Sequence, residues 1–296
     1  MEIDGYNSMI EIINCYSNLA MPGTKLIGKH GQSFLLKVDN DQILIDTGAD
    51  GPTLLHNMKI LDIHPNDITH LIITHGHFDH TDGLPDFLNV RTKSEPLPII
   101  AHPLFREDKR LKILFIDKAK GFPNLTAEQE GKITFILSKE PYSINSKVKT
   151  TGEITVREER DGVEPLMKHM VDGKHEIDPV LDDISVVIDT SAGQVVVTGC
   201  AHAGILNIIK KVKQLSNKPI ISIIGGTHMV RYSKEEVLAT GEQFVQKFDN
   251  PDLYLNHCTD KLPSKLLKQT KTIDILKEKY GEKIKTCYVG TKITYD

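Results

Sequence analysis

Paired cysteines are missing from this sequence of 296 residues. The four cysteines are Cys15, Cys200, Cys258 and Cys287, and no two of them form a CxxC pair. This spacing argues against a zinc finger and against a disulfide framework. Long apolar runs are missing too, since no stretch reaches the roughly 18 uncharged residues that a membrane-spanning helix requires. We therefore expect a globular protein without a membrane partner.

An excess of positive charge is also absent. The chain has 36 lysines and arginines against 40 aspartates and glutamates, which gives a formal net charge of -4. Nucleic-acid binding through phosphate contacts requires a basic groove, so we expect no nucleic-acid partner. The N-terminal segment carries Glu2 and Asp4 where a signal peptide would carry basic residues. These features predict a cytoplasmic protein that acts on a small molecule, and they indicate no particular oligomeric state.

Short apolar runs alternate with amphipathic stretches along the chain, which predicts strands and helices in alternation. Strands are predicted at residues 33–39, 42–46, 70–74, 98–102, 131–138, 150–156, 184–189, 194–198, 220–224 and 253–257. Helices are predicted at 52–61, 205–215, 232–248 and 262–280, the third with a capping box formed by Ser233 and Glu236.

The predicted elements fall into two similar halves with no linker between them. This arrangement predicts an α/β fold, a four-layer αββα sandwich that spans residues 1–296 as one domain. The charged, glycine-containing segment at about 139–182 is predicted to be a loop or lid.

Four side chains that can bind metal follow the predicted strand at 70–74. They are His75, His77, Asp79 and His80. Residues two apart on an extended chain point the same way, so His75 and His77 can bind one ion, while Asp79 and His80 can turn toward a second. Imidazole and carboxylate ligands suit zinc, manganese or iron better than magnesium or calcium. The sequence therefore predicts two divalent ions, with zinc as the first choice.

The HxHxDH motif at 75–80 resembles the signature of the metallo-β-lactamase superfamily, and the Asp-Thr-Gly sequence at 46–48 resembles its upstream motif. The resemblance implies further ligands at strand ends in the second half. His202 would complete the set for the first ion, and His257 would be the last ligand of the second.

One position departs from the family pattern. Many members carry a bridging aspartate where this chain has Cys200. Cys200 is either a thiolate ligand or a small buried residue, and the second interpretation is preferred here. His228 is the other candidate to replace the aspartate. It is either a ligand or substrate contact, or a structural residue.

Several segments resemble a narrower branch, typified by the archaeal 7,8-dihydropterin-6-methyl-4-(β-D-ribofuranosyl)aminobenzene-5'-phosphate synthase. These segments are residues 31–34, 75–84, 101–103, 199–205, 225–228 and 257–259. The resemblance implies an enzyme that acts on a phosphorylated or diphosphate-bearing small molecule, with Asp79 as its catalytic residue. His102, which follows a predicted strand, either contacts the substrate or caps the strand.

Three functions stay open at this point. The first is a dihydropterin condensation that releases pyrophosphate. The second is a metal-dependent phosphodiesterase or other ester hydrolase that uses the same site. The third is a non-catalytic metal-binding or redox module.

Overall fold

Two β-sheets form the centre of the fold, in a computed structural model that describes residues 9–113, 115–260 and 269–296. In chain order the strands are β1 (Ile10–Tyr16), β2 (Ser33–Val38), β3 (Asp41–Ile45), β4 (His70–Ile72), β5 (Leu97–Ala101), β6 (Lys109–Ile113), β7 (Ile116–Ala119), β8 (Ile133–Leu137), β9 (Val148–Thr150), β10 (Met167–Val171), β11 (Lys174–Ile177), β12 (Val186–Asp189), β13 (Gln194–Thr198), β14 (Ile220–Gly225), β15 (Asp252–Leu255), β16 (Ile284–Thr286) and β17 (Lys292–Tyr295). The helices are α1 (Gly51–Ile60), α2 (Phe78–Thr81), α3 (Leu84–Val90), α4 (Ala127–Glu130), α5 (Ile205–Leu215), α6 (Lys234–Lys247) and α7 (Thr272–Tyr280).

The first sheet has seven strands in the order β17-β1-β2-β3-β4-β5-β8. Strands β3, β4, β5 and β8 run parallel, and the strands on the other side pair antiparallel. Helices α1 and α3 cover its outer face, where Leu54 and Phe87 pack on Leu44 and Leu71. Both faces of β4 are buried, which is why the sequence there is a continuous apolar run.

The second sheet has six strands in the order β16-β15-β14-β13-β12-β9, with β13 to β16 parallel. Helices α5, α6 and α7 cover its outer face and bury residues such as Ile209, Phe244 and Leu276. Ser233 and Glu236 form the capping box at the start of α6, so that prediction is confirmed.

A third core lies between the sheets. Alternate residues of the strands face inward, so Phe34 and Ile43 of the first sheet pack with Val186, Val195 and Val197 of the second. Burying each such side chain stabilises the fold by about 1.5–3 kcal/mol. The layers are helices, sheet, sheet and helices, and the predicted αββα sandwich is confirmed.

Three differences from the predicted elements concern their extent. The segment at 139–182 is not a loop throughout, because it contains β9, β10 and β11, and β10 pairs with β6 in a small sheet of order β11-β10-β6-β7. Lys168 and His169 interrupt the apolar residues of β10, so no apolar run marks it. The strand predicted at 150–156 includes only Thr150 of β9. Part of the helix predicted at 262–280 lies outside the described residues, and α7 begins at Thr272.

Among the residues described, no helix is both long enough and apolar enough to cross a bilayer. The parallel strands of both sheets end at a shared edge, and the chain turns there into the loops that carry the histidines.

Candidate metal centre

The loop after β4 carries the predicted cluster in a buried position. His75 and His77 lie in the loop, Asp79 and His80 lie on the short helix α2, and at most 7% of the surface of any of the four is exposed. Gly76 permits this path, because a Cβ at that position would lie 1.8 Å from the carbonyl oxygen of Phe105. The loop therefore packs closely against the segment around Phe105.

Asp46, at the end of β3, fixes one side of the loop. Its carboxylate accepts hydrogen bonds from the backbone N of Thr74 at 2.8 Å and from Thr74 Oγ1 at 2.7 Å, and it contacts His80 Nδ1 at 2.7 Å. Burial lowers the pKa of His80, but the charge of Asp46 outweighs it and raises that pKa. A proton held on Nδ1 leaves His80 Nε2 free to act as a donor atom to an ion, 3.1 Å from Cys200 Sγ.

A buried group of three charged residues supports the other side. Asp182 accepts a hydrogen bond from Gly76 N at 2.7 Å, Asp178 lies 3.8 Å from His77 Nε2, and Lys109 Nζ donates to both carboxylates at 2.8 and 3.0 Å. Burial raises the pKa of Asp178, but contact with His77 and Lys109 holds it far below the usual range. The sequence did not predict this group, since isolated charges in a polar segment resemble solvent-exposed ones.

The deep donor group consists of His75, Cys200 and His202, whose ligand atoms lie within 4.8 Å of one another. The ring of His77 lies 4.7 Å from that of His75 and 4.8 Å from that of His202, measured between centroids. Burial lowers the pKa of His75 and of His202 well below the usual value, so both rings are neutral, the form that binds metal.

Unpaired nitrogen atoms point to a cation at this group. Nε2 of His75, of His77 and of His202 is buried and has no hydrogen-bond partner in the described part of the chain. His202 Nδ1 bonds the carbonyl of Gly162 at 2.9 Å, which leaves the lone pair on Nε2. Leaving such an atom unpaired costs about 1–3 kcal/mol, and an ion bound at the three nitrogens offsets that cost.

The outer donor group consists of His30, Asp79 and His257. Asp79 Oδ2 lies 2.7 Å from His30 Nε2 and 3.3 Å from His257 Nε2. Burial raises the pKa of Asp79, but the charge of His30 and the contacts of both imidazoles hold it well below the usual range. Asn18 orients His257 through a 3.2 Å contact with its Nδ1. His30 was not predicted, because it follows no strand and belongs to no motif.

Cys200 lies between the two groups. Besides the deep group it forms a third cluster, within 4.8 Å, with His80 and His257. Burial raises the pKa of its thiol well above the usual value, so a thiolate there requires a nearby cation. Gly199 precedes it without room for a side chain, since a Cβ would lie 2.2 Å from Thr74 Oγ1.

The remaining two candidates lie outside these clusters. The ring of His228 is 4.4 Å from that of His202, and burial lowers the pKa of His228 to about 3. His102 is fully buried, accepts a hydrogen bond from Leu104 N at 3.2 Å and contacts Glu153 at 3.3 Å. The structure thus brings His228 next to the deep group, while His102 has the contacts of a strand cap.

A cavity of about 490 Å³ opens beside the outer group. Its wall includes Asn18, Asn256, His257, Asp260 and Tyr288. This volume is in the range that binds small molecules in enzymes. A ligand in it would lie next to His257.

Imidazole, thiol and carboxylate donors with buried unpaired atoms fit divalent ions of the zinc, manganese and iron class. The same donors do not suit calcium, which prefers an all-oxygen site. Chemistry and geometry therefore agree that this edge of the sandwich can hold metal.

Comparisons with known proteins identify a superfamily. The sequence model of the metallo-β-lactamase superfamily matches residues 27–212. A 7,8-dihydropterin-6-methyl-4-(β-D-ribofuranosyl)-aminobenzene-5'-phosphate synthase of Methanocaldococcus jannaschii is 31% identical over 246 residues, which are 78% of this chain and 81% of the relative. The resemblance to that branch, predicted from the motifs, is confirmed.

Solved structures share the fold. Tm1679, described as a metal-dependent hydrolase of the β-lactamase superfamily, superposes with a TM-score of 0.78 at 23% identity and covers 96% of this chain and 98% of its own. A diphosphatase of the PhnP family superposes with a TM-score of 0.51 at 13% identity, over 97% of this chain and 98% of its own. The chain belongs to the metallo-β-lactamase superfamily, whose members bind metal ions.

Proposed function

We propose that the protein is a metal-dependent enzyme with a dinuclear centre that acts on a diphosphate-bearing small molecule. The reaction we propose is the condensation of a dihydropterin diphosphate with an aromatic amine, with release of pyrophosphate. Its support is the 31% identity, over most of both chains, to a relative named as such a synthase.

The net charge of the metal centre is the reason for proposing an anionic substrate. Asp79 is the one carboxylate in the three described clusters, and the other donors are imidazoles, which carry no negative charge, and a thiol. Two divalent ions would bring four positive charges, and the donors would return at most two negative ones, from Asp79 and a Cys200 thiolate. A centre with this surplus attracts and binds an anion.

The three donor clusters suggest which residues would bind each ion. His75, His77 and His202 would hold the first ion, and Asp79, His80 and His257 the second, with Cys200 between them as a shared thiolate. When bound, the ions supply positive charge that stabilises a departing diphosphate.

The side chains of the outer group would handle the proton. As the amine nitrogen bonds to the pterin methylene carbon, the carbon–oxygen bond to diphosphate breaks and the nitrogen loses a proton. Asp79, with its low pKa, is ionised and accepts the proton at Oδ2. His30 Nε2 is 2.7 Å away with 21% of its side chain exposed, so a His30 ring in its neutral form can take the proton from Asp79 and pass it to water.

The same arrangement would serve hydrolysis, which is the second candidate. His30 is part-exposed beside Asp79, and water can reach the outer group from that side. Asp79 would then orient water and accept its proton. A phosphodiesterase or other ester hydrolase would result.

The test combines metal analysis of the purified protein with an assay of pyrophosphate release. If the reaction is condensation, pyrophosphate is released from the dihydropterin diphosphate only when the ribofuranosylaminobenzene phosphate is also present. Release without the aromatic partner, or activity confined to simple phosphodiesters, would establish the hydrolase instead. Tightly bound iron without turnover of either substrate would favour a redox module.

Replacing Asp79 with Asn tests the role of the carboxylate. The amide cannot accept the proton, so turnover should fall by about 100-fold or more, in the range of general base catalysis. The midpoint of thermal unfolding should change much less than the rate. Full activity of Asp79→Asn with every substrate would show that Asp79 has no catalytic role.

A further inference from the structure

Lys120 is held against the metal loop at both its backbone and its side chain. Its carbonyl accepts a hydrogen bond from Phe78 N at 2.9 Å, and its own N donates to the carbonyl of Lys109 at 2.7 Å. The Nζ atom lies 3.5 Å from the centroid of the Phe78 ring. Phe78 stands between His77 and Asp79 in the sequence, so Lys120 lies at the rim of the centre.

The ammonium group of Lys120 has no ion-pair partner in the described ranges. The buried Lys109, on the same small sheet, has two carboxylates within 3.0 Å. For Lys120, the charges of Asp79 and Asp82 act from a greater distance. The side chain is half-buried and has lost part of its hydration, a cost that no carboxylate at ion-pairing distance offsets.

A positive group beside a positive centre is unfavourable unless an anion lies between them. The Phe78 ring stabilises the ammonium from one side by a cation–π contact and leaves its N–H donors available. The ring centroid of His30 is 6.3 Å from that of Phe78, and the charge of Asp79 acts on Lys120, so the outer donor group lies near Lys120. An anion bound at the outer donor group would be close to the positive charge of Lys120 as well as to that of the metal centre.

We propose that Lys120 is a specificity-determining residue that binds a phosphate group of the substrate at the rim of the metal centre. The proposal rests on the proposed function in one respect, the anionic nature of the substrate. Lys120 would select phosphate mono- and diesters or diphosphates over neutral esters of similar size.

The test measures binding of inorganic pyrophosphate to the metal-loaded protein by titration calorimetry. Lys120→Gln should raise the dissociation constant by about tenfold or more, because it removes a charge-assisted hydrogen bond. Lys120→Arg should stay within about threefold of the wild type. Lys118→Gln is the matched control, an exposed lysine of β7 without a cation–π or ion-pair contact to the centre, and it should change binding by less than about twofold.

Metal content measured on all four proteins separates substrate binding from support of the fold. The proposal requires that Lys120→Gln keeps the wild-type metal content. It is overturned if Lys120→Gln binds pyrophosphate as the wild type does, if it also loses metal, or if the wild type binds no pyrophosphate.

The proposed reaction can fail separately. If wild-type protein binds pyrophosphate through Lys120 but does not turn over the dihydropterin diphosphate, the role of Lys120 stands and the reaction is wrong. If the condensation proceeds and Lys120→Gln leaves both its KM and pyrophosphate binding unchanged, the reaction stands and the role of Lys120 is wrong.

Discussion

The deep donor group and the outer donor group satisfy their polar atoms in different ways. In the deep group, the Nε2 atoms of His75 and His202 have no partner among the described residues, and burial keeps both rings neutral. In the outer group, the carboxylate of Asp79 already contacts two imidazoles, one of them part-exposed.

This contrast predicts which half of the site depends more on metal. Without an ion, the deep group leaves several buried nitrogens unpaired, whereas in the outer group His257 Nε2 also lacks a hydrogen bond but lies 3.3 Å from the carboxylate of Asp79, which contacts His30 as well. We therefore expect the deep ion to contribute more to stability. We expect the outer ion to exchange more readily and its ligands to take part in proton transfer.

Breaking the deep group should have the largest effect. His202→Ala removes one of three nitrogens at the first ion, so the metal content should fall by about one ion per chain. The value of kcat/KM should fall by about a thousandfold or more, since an ion in a reactive centre supplies several kcal/mol. Metal analysis and steady-state kinetics measure both.

His102→Gln is the matched control for that variant. His102 is also a fully buried histidine after a strand, but it contacts Glu153 and Leu104 instead of a donor cluster. It should keep the wild-type metal content and activity within about threefold. Equal metal loss in both variants would show that burial of a histidine, and not its place in the cluster, governs metal content.

Replacing Cys200 tests the link between the groups, with an intermediate effect expected. If the thiolate is shared, Cys200→Ala should weaken metal binding and activity by about 10- to 100-fold, the range found for groups that support a metal site. A cobalt-substituted protein should lose its thiolate charge-transfer absorption with this variant.

Cys258→Ala provides the comparison for Cys200→Ala. Cys258 is equally buried, and its Sγ contacts the carbonyl of Cys200 at 3.5 Å. Its replacement should keep the cobalt absorption and change activity by less than about threefold. An unchanged cobalt spectrum in Cys200→Ala would show that Cys200 is the small buried residue first preferred from the sequence.

The sequence predicted residues that follow strands and missed those that come from elsewhere. His75, His77, Asp79 and His80 form one cluster after an apolar strand, and the family resemblance pointed to His202 and His257, each of which follows another strand. Asp182 meets Gly76 from 106 positions away, and His30 lies in the loop between β1 and β2. Contacts between residues so far apart in the sequence depend on how the sheets pack, and a local sequence pattern does not predict that packing.

The same reason explains why the sequence left the role of Cys200 open. In the sequence it is a single small residue after a strand, which fits a buried filler as well as a ligand. The fold brings the segment after β13 close to the segments after β4 and β15, and this places its sulfur among nitrogens of both halves. The fold class was predictable because strand and helix periodicity is local.

The smallest effect is expected at His30, at the exposed end of the outer group. If His30 only orients Asp79, His30→Gln should keep most of the activity, because the amide can still donate to Oδ2. If it also carries the proton away, both His30→Gln and His30→Ala should lower kcat by about tenfold, below the usual range for a primary acid or base.

Imidazole in the buffer separates these two roles of His30. Since 21% of the side chain is exposed, free imidazole can reach the space left in His30→Ala and should restore part of the lost kcat. His56→Gln, a change at an exposed histidine on α1 that bonds the carbonyl of Lys25, should neither lose activity nor respond to imidazole. Full activity of His30→Gln together with no response of His30→Ala to imidazole would mean that the proton leaves Asp79 by another route. The outer group would then differ from the deep group in the contacts of its side chains, and not in a role of His30 in proton transfer.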